Sequence, residues 1–453
     1  MAKRRRKARL MRVSGLPKEL QHVNLNAAGI DIGSERHFVA VPEGRDEVAV
    51  REFGTFTTDL QQLVNWLKDC GITTVALEST GVYWIPVFEL LERAGFEVRL
   101  VDARQVKNVP GRKSDVLDCQ WLQQLHTYGL LAAAFRPPDE VCVLRGYLRQ
   151  REMLVESSAM HIQHMQKALQ QMNLLLHNVV SDITGVTGMK ILKAIITGER
   201  DPQRLAANRD RRCRSSAETI ANSLLGNYRA EHLFALKQAV ELYEIYQAKI
   251  ADCNEAIAAH LLQQPKSNTG EPPPTAGKQS DKKLGAEVDV RCQFFQMTGV
   301  DLFAVKGFGT DTLLMLAGEV GFDMSPWKTE KHFSSWLGLS SGTNKSGGKV
   351  LSSKTKRTNN RAAKALRIAA ASLSRSQSAL GAFYRRIRAR VGKPQALTAT
   401  ARKLAVIYYS MLKYGTEYVE MGQSEYEQRY QQRRLQAMQK QALSMGYHMV
   451  PIR

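Results

Sequence analysis

Four acidic residues in the N-terminal third stand where carboxylates could hold a divalent metal. Asp31 lies inside the strand-like sequence GIDIGS, and Glu78 ends the apolar run TTVALE. Asp115 and Asp118 stand three residues apart on a predicted helix that Ser114 would cap. Charge on a buried strand is costly unless compensated, and like charges at this helical spacing repel unless a cation lies between them. Together the four could surround one or two Mg²⁺ (or Mn²⁺) ions that keep positions open for phosphate oxygens.

Each carboxylate also has a structural explanation. Asp31 could face solvent on an edge strand, Glu78 could cap the next helix, and the two helical aspartates could complement the helix dipole. Their combination on a strongly basic chain favours the metal site, which is the arrangement that ribonuclease-H-like nucleases use.

A serine in the segment NKSGGKVLSSK could attack a phosphate. Ser346 stands between Lys345 and the pair Gly347 and Gly348, and Lys349 follows. Glycines allow a close approach to phosphate, and lysines would stabilise the charge that develops during attack. A serine hydroxyl needs a base, however, and no acid lies nearby in the sequence. The residues alone therefore favour a phosphate-contact loop without covalent chemistry. The neighbouring candidates are Ser340, Ser341, Ser352 and Ser353.

Further phosphate contacts are predicted along the C-terminal half. The segment TGVDLFAVKGFGTDTLLMLAGEVG (298–321) reads as helix, turn and helix, with Gly307 and Gly309 exposing backbone N–H groups. It resembles a helix-hairpin-helix, although an ordinary packing corner would look the same. Phe383 and Tyr384 beside an arginine cluster could stack on bases. The remaining predicted phosphate contacts are Lys354, Lys356, Arg357, Arg361, Arg385 and Arg386.

The charge of the chain indicates a polyanionic partner. Lys and Arg number 64 against 43 Asp and Glu, which gives a net charge of +21. Residues 1–12 carry seven basic side chains and no acid, and residues 331–416 carry 18 and none. Nucleic acid is favoured over a membrane surface, since no amphipathic anchor, secretory signal or membrane-spanning apolar run is evident. The six scattered cysteines predict reduced thiols in a cytosol.

These residues need elements to position them. Residues 27–57 alternate like a hairpin turning near Pro42–Asp46, and a helix is predicted at Asp59–Cys70. A strand (73–78), a helix (86–95) and a strand (96–102) follow, so an α/β domain is expected. Residues 139–262 carry two heptad seams, which predict an antiparallel arm, a dimerising coiled coil or an intramolecular spacer. One seam comprises Val155, Ser158, Ile162, Met165, Leu169, Met172, Leu176 and Val179, and the other comprises Leu236, Ala239, Tyr243, Tyr246, Ile250, Cys253 and Ile257.

The settings of the four acids carry a family resemblance. GIDIGSE, ALESTGVYW and GRKSDVLDC resemble the DEDD tetrad of the RuvC-like domain in insertion-sequence-110 family transposases, and SSWLGLSSGTNKSGGKVLSSKTKR resembles the 1111 subgroup. The likeness runs from about residue 25 to about 415. Within these limits the expected order is a ribonuclease-H-like domain (25–138), a helical coiled-coil region (139–262), a linker (263–284) and a mainly α C-terminal transposase domain (285–415). A basic arm (1–24) and a helical tail (416–453) flank them and are particular to this sequence.

The resemblance also implies a function. The DEDD residues would be catalytic metal ligands, and Ser346 would form a transient phosphoserine link with DNA. Expected partners are donor and target DNA, a structured guide (bridge or seeker) RNA and further copies of the chain, as a dimer or tetramer. The expected location is the cytoplasm, at the nucleoid. The alternatives are a metal-only nuclease like Holliday-junction resolvases, in which water attacks, and an inactive architectural protein that binds nucleic acid.

Overall fold

The computed structural model describes residues 24–79, 81–102, 115–273, 283–284 and 288–450. The predicted basic arm up to residue 23, the proposed cap Ser114 and residues 274–282 of the predicted linker lie outside these ranges. The chain divides into two compact units, one ending at Arg136 and the other beginning at Pro137.

The N-terminal unit is a mixed five-stranded sheet with helices on both faces. Its elements are β1 (Ala27–Ile32), β2 (Arg36–Ala40), β3 (Val50–Gly54), α1 (Thr57–Asp69), β4 (Thr74–Glu78), α2 (Trp84–Arg93), β5 (Glu97–Val101) and α3 (Asp115–Thr127). The strand order is β3-β2-β1-β4-β5, with β1, β4 and β5 mutually parallel and β2 and β3 antiparallel to their neighbours. This confirms the α/β prediction, and it is the sheet expected of a ribonuclease-H-like DEDD domain.

One turn in this sheet differs from the prediction. Residues 27–44 were read as a single strand before the hairpin, but β1 and β2 are separate strands joined at 33–35. The Gly33 amide donates to the Arg36 carbonyl at 3.1 Å. A Cβ on Gly33 would lie 2.5 Å from that carbonyl oxygen, so the tight turn requires glycine. The second turn, between β2 and β3, falls where it was predicted.

The C-terminal unit is mainly helical and is built on two long helices. Helices α4 (Asp139–Gln171) and α9 (Ala230–Gln263) pack against each other over their length. Arg151 donates to Asn254 at 2.7 Å and Gln247 donates to Ser158 at 2.9 Å, so the two helices are antiparallel. The pairing lies within one chain, as the arm and spacer interpretations expected, and the coiled coil stays a prediction.

Helix α4 is shorter than its predicted seam. The seam was read through Val179, but the helix ends at Gln171 and Asn173 adopts a φ of 52°. Four short helices follow: α5 (Leu176–Val179), α6 (Val186–Ile196), α7 (Pro202–Ala206) and α8 (Ala217–Ser223). They share an apolar core with the facing ends of α4 and α9. We call residues 172–229, which hold these helices, the cap.

Among the described residues, seven helices and two small hairpins complete the unit. The helices are α10 (Val290–Thr298), α11 (Thr310–Glu319), α12 (Glu330–Trp336), α13 (Arg361–Ser372), α14 (Ala379–Val391), α15 (Lys393–Tyr414) and α16 (Gln423–Ser444). The hairpins pair β6 (Lys283–Leu284) with β7 (Val288–Asp289), and β8 (Asn344–Ser346) with β9 (Lys349–Ser352). Two buried tyrosines of α15 tie these helices together, because the Tyr408 and Tyr409 hydroxyls donate to the carbonyls of Gly321 and Trp327.

The segment 298–321 differs from the predicted pair of helices. Its second half forms α11, but its first half contains only a 3₁₀ turn at Leu302–Ala304, which the Asp301 side chain caps. Along the described ranges, no helix combines the length and apolar character needed to cross a bilayer. All six cysteines are free thiols.

Candidate active site and nucleic-acid interface

Asp31 and Glu78 lie at the carboxyl ends of neighbouring strands. Parallel strands β1 and β4 pair Ile30 with Leu77, and each acid is the next residue along its strand. Residues paired in this way project to the same face of a sheet. Both acids are half-buried. The local sequence therefore places two carboxylates side by side at one edge of the sheet.

Helix α3 packs on the face toward which Asp31 projects. Gly29 shares that face, because alternate residues of a strand point the same way. A Cβ on Gly29 would lie 2.3 Å from the Gln123 amide nitrogen and 2.4 Å from the Cys119 carbonyl oxygen. Gly29 was not among the predicted site residues, although a glycine inside a strand pattern is a signal for close approach of another backbone.

The direction of α3 brings its acidic first turn to the same end of the sheet. Gln123 donates to the Ala27 carbonyl at 3.4 Å, and the Asn24 amide donates to the Thr127 carbonyl at 2.7 Å. The helix therefore runs antiparallel to β1, with its C-terminal end near the start of that strand. Its first turn, which begins at Asp115 and includes half-buried Asp118, lies toward the end of β1 that carries Asp31.

The negative charge at this end of the sheet affects the pKa of the Cys119 thiol. Burial is the largest cause that raises the pKa of Cys119 to about 12, and the nearby carboxylates of Asp31 and then Asp118 contribute in the same direction. The thiol donates to the Val116 carbonyl at 3.1 Å. Cys119 therefore stays protonated, and it reports that Asp31 and Asp118 act on one small region.

The donor set suits a hard divalent cation. Asp31, Glu78 and Asp118 offer only carboxylate oxygens, the ligands that Mg²⁺ and Mn²⁺ prefer. Among the side chains that the structure describes, no three or more His, Cys, Asp or Glu form a metal-binding group by themselves. Asp115 begins α3, but its side chain lies outside the described part of the chain. The residues fit a metal in chemistry and in their position at one end of the sheet.

Ser346 lies at the tip of a hairpin rather than in an irregular loop. It pairs with Lys349 across the turn formed by Gly347 and Gly348, whose φ angles are 55° and 78°. Two positive φ angles define the tight turn that glycine pairs favour, so the GG pair was the missed hairpin signal. The side chain of Ser346 is exposed.

The neighbouring serines are less well placed than Ser346 to attack a phosphate. The hydroxyls of Ser340 and Ser334 are hydrogen-bonded at 2.9 Å, and Ser352 accepts from the Lys354 amide at 3.3 Å. Ser341 and Ser353 are exposed, but they lie outside the two strands, at the end of the hairpin away from the glycine turn.

The predicted phosphate contacts fall into two groups. The first group is exposed, and the described residues provide it with no carboxylate partner; it comprises Lys349, Lys354, Lys356 and Arg357. The side chain of Lys345 lies outside the described residues. In the second group, Arg361 forms an ion pair with Glu152, which also holds Lys364 at 3.2 Å.

Two further arginines of the second group hold the tail helix. Arg385 donates to the Ser376 carbonyl and to Gln423, both at 2.7 Å. Arg386 lies 3.8 Å from the centroid of the Tyr430 ring. Tyr384, which was a candidate for base stacking, is only 2% exposed and packs in the core.

The glycine turn before α11 has two different faces. Gly307 has a φ of 100° and packs closely against Leu373 and Ala369, whereas Gly309 has open space around it. The cleft beside them is lined partly by Arg151 and Asp311, which form an ion pair at 3.3 Å. The first turn of α11 therefore already carries an acid.

The N-terminal sheet is ribonuclease-H-like and carries carboxylates at one edge, and the helical half of the chain is strongly basic. These features define an enzyme that acts on nucleic acid. Two family models match the chain and agree with this class. The DEDD domain model of IS110 elements, described as "Transposase", matches residues 28–174, and the model "Transposase IS116/IS110/IS902 family" matches residues 301–385. The chain belongs to the IS110 family of transposases and has their N-terminal DEDD domain. No curated protein matches it.

The two matches include the residues singled out from the sequence. The first spans all four acids of the tetrad, and the second spans Ser346 and both glycines of the turn before α11. The chain is thus a DNA transposase, and its DEDD domain implies dependence on a divalent metal.

Proposed function

We propose that this transposase moves an insertion sequence by combining a metal-binding DEDD site with a serine nucleophile. Asp31, Glu78, Asp115 and Asp118 are the proposed ligands of Mg²⁺ or Mn²⁺, and Ser346 is the proposed nucleophile. The observation that carries the metal site is the convergence of Asp31, Glu78 and the first turn of α3 at one end of the sheet. When bound, the ions polarise the phosphodiester and stabilise its developing charge.

The covalent serine step conserves the free energy of the cleaved phosphodiester bond. The Ser346 oxygen forms a bond to phosphorus while the bond from phosphorus to one deoxyribose oxygen breaks, and that oxygen leaves as a hydroxyl. A hydroxyl of another strand then reverses the step, which releases the serine. No external high-energy cofactor is needed, because each exchange replaces one phosphate ester with another.

The proton of Ser346 needs an acceptor from elsewhere in the assembly. Residues 331–416 contain no Asp or Glu, so no carboxylate base lies within that segment. We assign the role to the DEDD carboxylates, from the same chain or from a second subunit. The exposed, glycine-flanked position of Ser346 supports its role, because an extended phosphodiester can approach it without steric obstruction.

Phosphate contacts by the exposed lysines would hold the DNA. Lys345, Lys349, Lys354, Lys356 and Arg357 are proposed to bind its backbone, together with the amides near Gly307, Gly309, Gly347 and Gly348. Arg361, Arg385 and Arg386 would join them only after releasing their present partners. Such contacts give affinity with little base specificity. We therefore propose that a structured guide RNA selects donor and target DNA, and that a dimer or tetramer acts at the nucleoid of the cytoplasm.

Covalent trapping tests the serine mechanism. End-labelled element DNA is incubated with protein and Mn²⁺, denatured, and examined for protein that carries label. Wild type and Ser353→Ala should give a labelled adduct, whereas Ser346→Ala should give none. Robust cutting by Ser346→Ala, without any adduct in wild type, would establish water as the nucleophile, as in a resolvase-type nuclease.

Sequencing of co-purified nucleic acid tests the guide. The transposase is purified from cells that carry the complete element, and the bound RNA is sequenced. One discrete RNA encoded beside the gene is expected. Random cellular RNA would contradict guidance and would leave only electrostatic binding.

A further inference from the structure

The cap presents a cluster of arginines to solvent in the loop between α7 and α8. Residues 207–216 read ANRDRRCRSS, which contains four arginines and one acid. None of the predicted nucleic-acid contacts lies here. We call residues 207–216 the arginine loop.

The arginine loop is held to the cap by its own hydrogen bonds. Arg209 donates to the carbonyls of Ser215 and Cys213, both at 2.6 Å. The Asp210 amide donates to the Thr187 hydroxyl at 3.0 Å, and the Ser215 hydroxyl donates to the Val179 carbonyl at 2.5 Å. One arginine therefore holds the loop in shape, and hydrogen bonds fix the loop to α6 and to the end of α5.

The other three arginines point outward with a single acid among them. Arg212 contacts Asp210 at 2.9 Å and, with 77% of its side chain exposed, holds the pKa of that carboxyl down at about 2. Arg211 and Arg214 are exposed, and the structure records no ion pair for either among the described residues. The loop thus carries two positive charges that the cap does not neutralise.

A fixed group of like charges attracts a polyanion. Guanidinium groups match phosphate oxygens in geometry and are always charged. No aromatic residue occurs between residues 201 and 227, so the loop has no ring of its own on which to stack a base. The chemistry therefore favours contact with a phosphate backbone over recognition of bases.

The length of α4 determines how far this loop lies from the transposase helices. Arg149 of α4 forms an ion pair with Glu319 of α11, whereas Leu169 of α4 packs in the core of the cap. At 1.5 Å per residue the stretch between Arg149 and Leu169 is about 30 Å long. One turn of duplex DNA is of similar length, roughly 34 Å.

We propose that the arginine loop binds the phosphate backbone of duplex DNA about one helical turn away from the DNA held near α11. A duplex is the partner that fits, because phosphates recur on one face of it about once per turn, roughly 34 Å apart, which is close to the length of α4 between Arg149 and Leu169. The proposal rests on the proposed binding of DNA by the C-terminal unit, and it assigns the cap a part in gripping the same molecule.

Binding of short and long duplexes tests this role. The protein carries Ser346→Ala, so that no cleavage occurs, and binds labelled duplexes of about 10 and about 30 base pairs, roughly one and three turns. The double substitution Arg211→Ala, Arg214→Ala should weaken binding to the longer duplex about tenfold at 0.1 M salt. It should also lower the salt slope by about 2, or roughly 0.9 per phosphate contact. Binding to the shorter duplex should be unchanged.

The matched control removes the same charge from the same part of the molecule. Arg204 and Arg229 are exposed but have acidic partners, at 3.5 Å in Asp201 and 2.5 Å in Glu231. Arg204→Ala, Arg229→Ala should bind both duplexes as the parent does. Arg211→Lys, Arg214→Lys should retain the salt slope, and unchanged thermal unfolding shows that each variant is folded.

Three results would overturn the proposal. They are equal losses in the double variant and its control, no loss on the longer duplex, and, when binding to a structured RNA is measured in parallel, a loss confined to that RNA. If the parent protein itself fails to bind duplex DNA, the proposed function fails as well. If the parent binds and the double variant binds equally, only the role of the arginine loop is wrong.

Discussion

Asp31 and Glu78 lie side by side on β1 and β4, one position beyond the pair formed by Ile30 and Leu77. Adjacent strands are about 4.8 Å apart, so the two carboxylates place like charges close together at this edge of the sheet. Binding of a divalent cation between them should therefore stabilise the edge.

Substitution of Asp31 separates metal binding from folding. Asp31→Asn should lower strand transfer at least about 100-fold, because a direct ligand contributes no less than the groups that orient it. Added Mn²⁺ should raise the melting temperature of wild type more than that of the variant. Calorimetric titration with Mn²⁺ and thermal unfolding measure both effects.

Glu52 provides the control on the same sheet. It lies on edge strand β3 and pairs with Arg36 at 2.6 Å. Glu52→Gln should leave Mn²⁺ affinity and activity unchanged. Undiminished Mn²⁺ binding by Asp31→Asn would remove Asp31 from the ligand set.

Gly29 tests the close packing of α3 on β1. A Cβ there would meet backbone atoms of Cys119 and Gln123 at less than 2.5 Å. Because backbone cannot move aside like a flexible side chain, Gly29→Ala should lower the free energy of unfolding by about 2–4 kcal/mol. It should also displace Asp118 and reduce activity, and urea denaturation with activity assays measures both.

Gly146 serves as the comparison because it lies in α4 with open space around it. Gly146→Ala should be neutral or stabilise the protein by up to about 1 kcal/mol. If the two substitutions had equal effects, the packing of α3 on Gly29 would be looser than described.

His126 predicts how stability depends on pH. The side chain is fully buried, and burial first, then Arg99, lowers its pKa to about 4. The Thr74 hydroxyl donates to the Glu97 carbonyl, which assigns His126 Nε2 as the donor to Thr74 Oγ1. The lowered pKa keeps the ring neutral near pH 7.

The neutral ring sets the direction of the effect. Between the unfolded pKa of about 6.5 and the folded pKa of about 4, only the unfolded chain binds the proton at this site. Stability is therefore present above pH 6.5 and falls as the pH drops toward 4, by up to about 3 kcal/mol.

Urea denaturation of wild type and His126→Gln between pH 4 and 8 measures this slope. The substitution should flatten part of it, because buried His37, whose pKa is lowered by burial, contributes in the same direction. His448→Gln, in the exposed tail, is the control. Identical slopes for wild type and His126→Gln would contradict the buried neutral ring.

Glu319 joins α4 to α11. Both of its oxygens accept from Arg149 at 2.9 Å, and only 11% of its side chain is exposed. Glu319→Ala should cost about 2 kcal/mol, because it leaves guanidinium groups beside apolar helix surfaces without their carboxylate. Glu156→Ala removes a carboxylate that is 69% exposed and 3.9 Å from Lys364, and it should cost under about 0.5 kcal/mol. Comparable losses in chemical denaturation would show that the Glu319 pair is solvent-screened.

The sequence was most informative where local periodicity decides the structure. Helix α1, strand β4 and the acidic start of α3 follow from hydrophobic spacing and strand ends, so the positions of these elements could be predicted. The metal site that Asp31, Glu78 and Asp118 would form stays a prediction. The turn at Gly33 was missed because alternation continues on both sides of it.

Contacts between residues far apart in the sequence cannot be predicted from local sequence patterns. Arg361 was expected to contact phosphate, yet its partner Glu152 lies 209 residues earlier in the chain. Likewise, nothing near Arg386 indicates that Tyr430 of the tail helix will cover it. Such contacts depend on how helices assemble, and only the folded structure reveals them.

The ends of the cap meet each other, because the Asn227 amide donates to the Met172 carbonyl at 3.0 Å. The chain thus leaves α4 and enters α9 at almost the same point. The intervening segment can therefore be lengthened, shortened or replaced during evolution without a change in the path of the rest of the backbone. Related transposases with a short turn in place of the cap would keep the paired helices α4 and α9. Variation in length and sequence among these transposases should be concentrated in the cap.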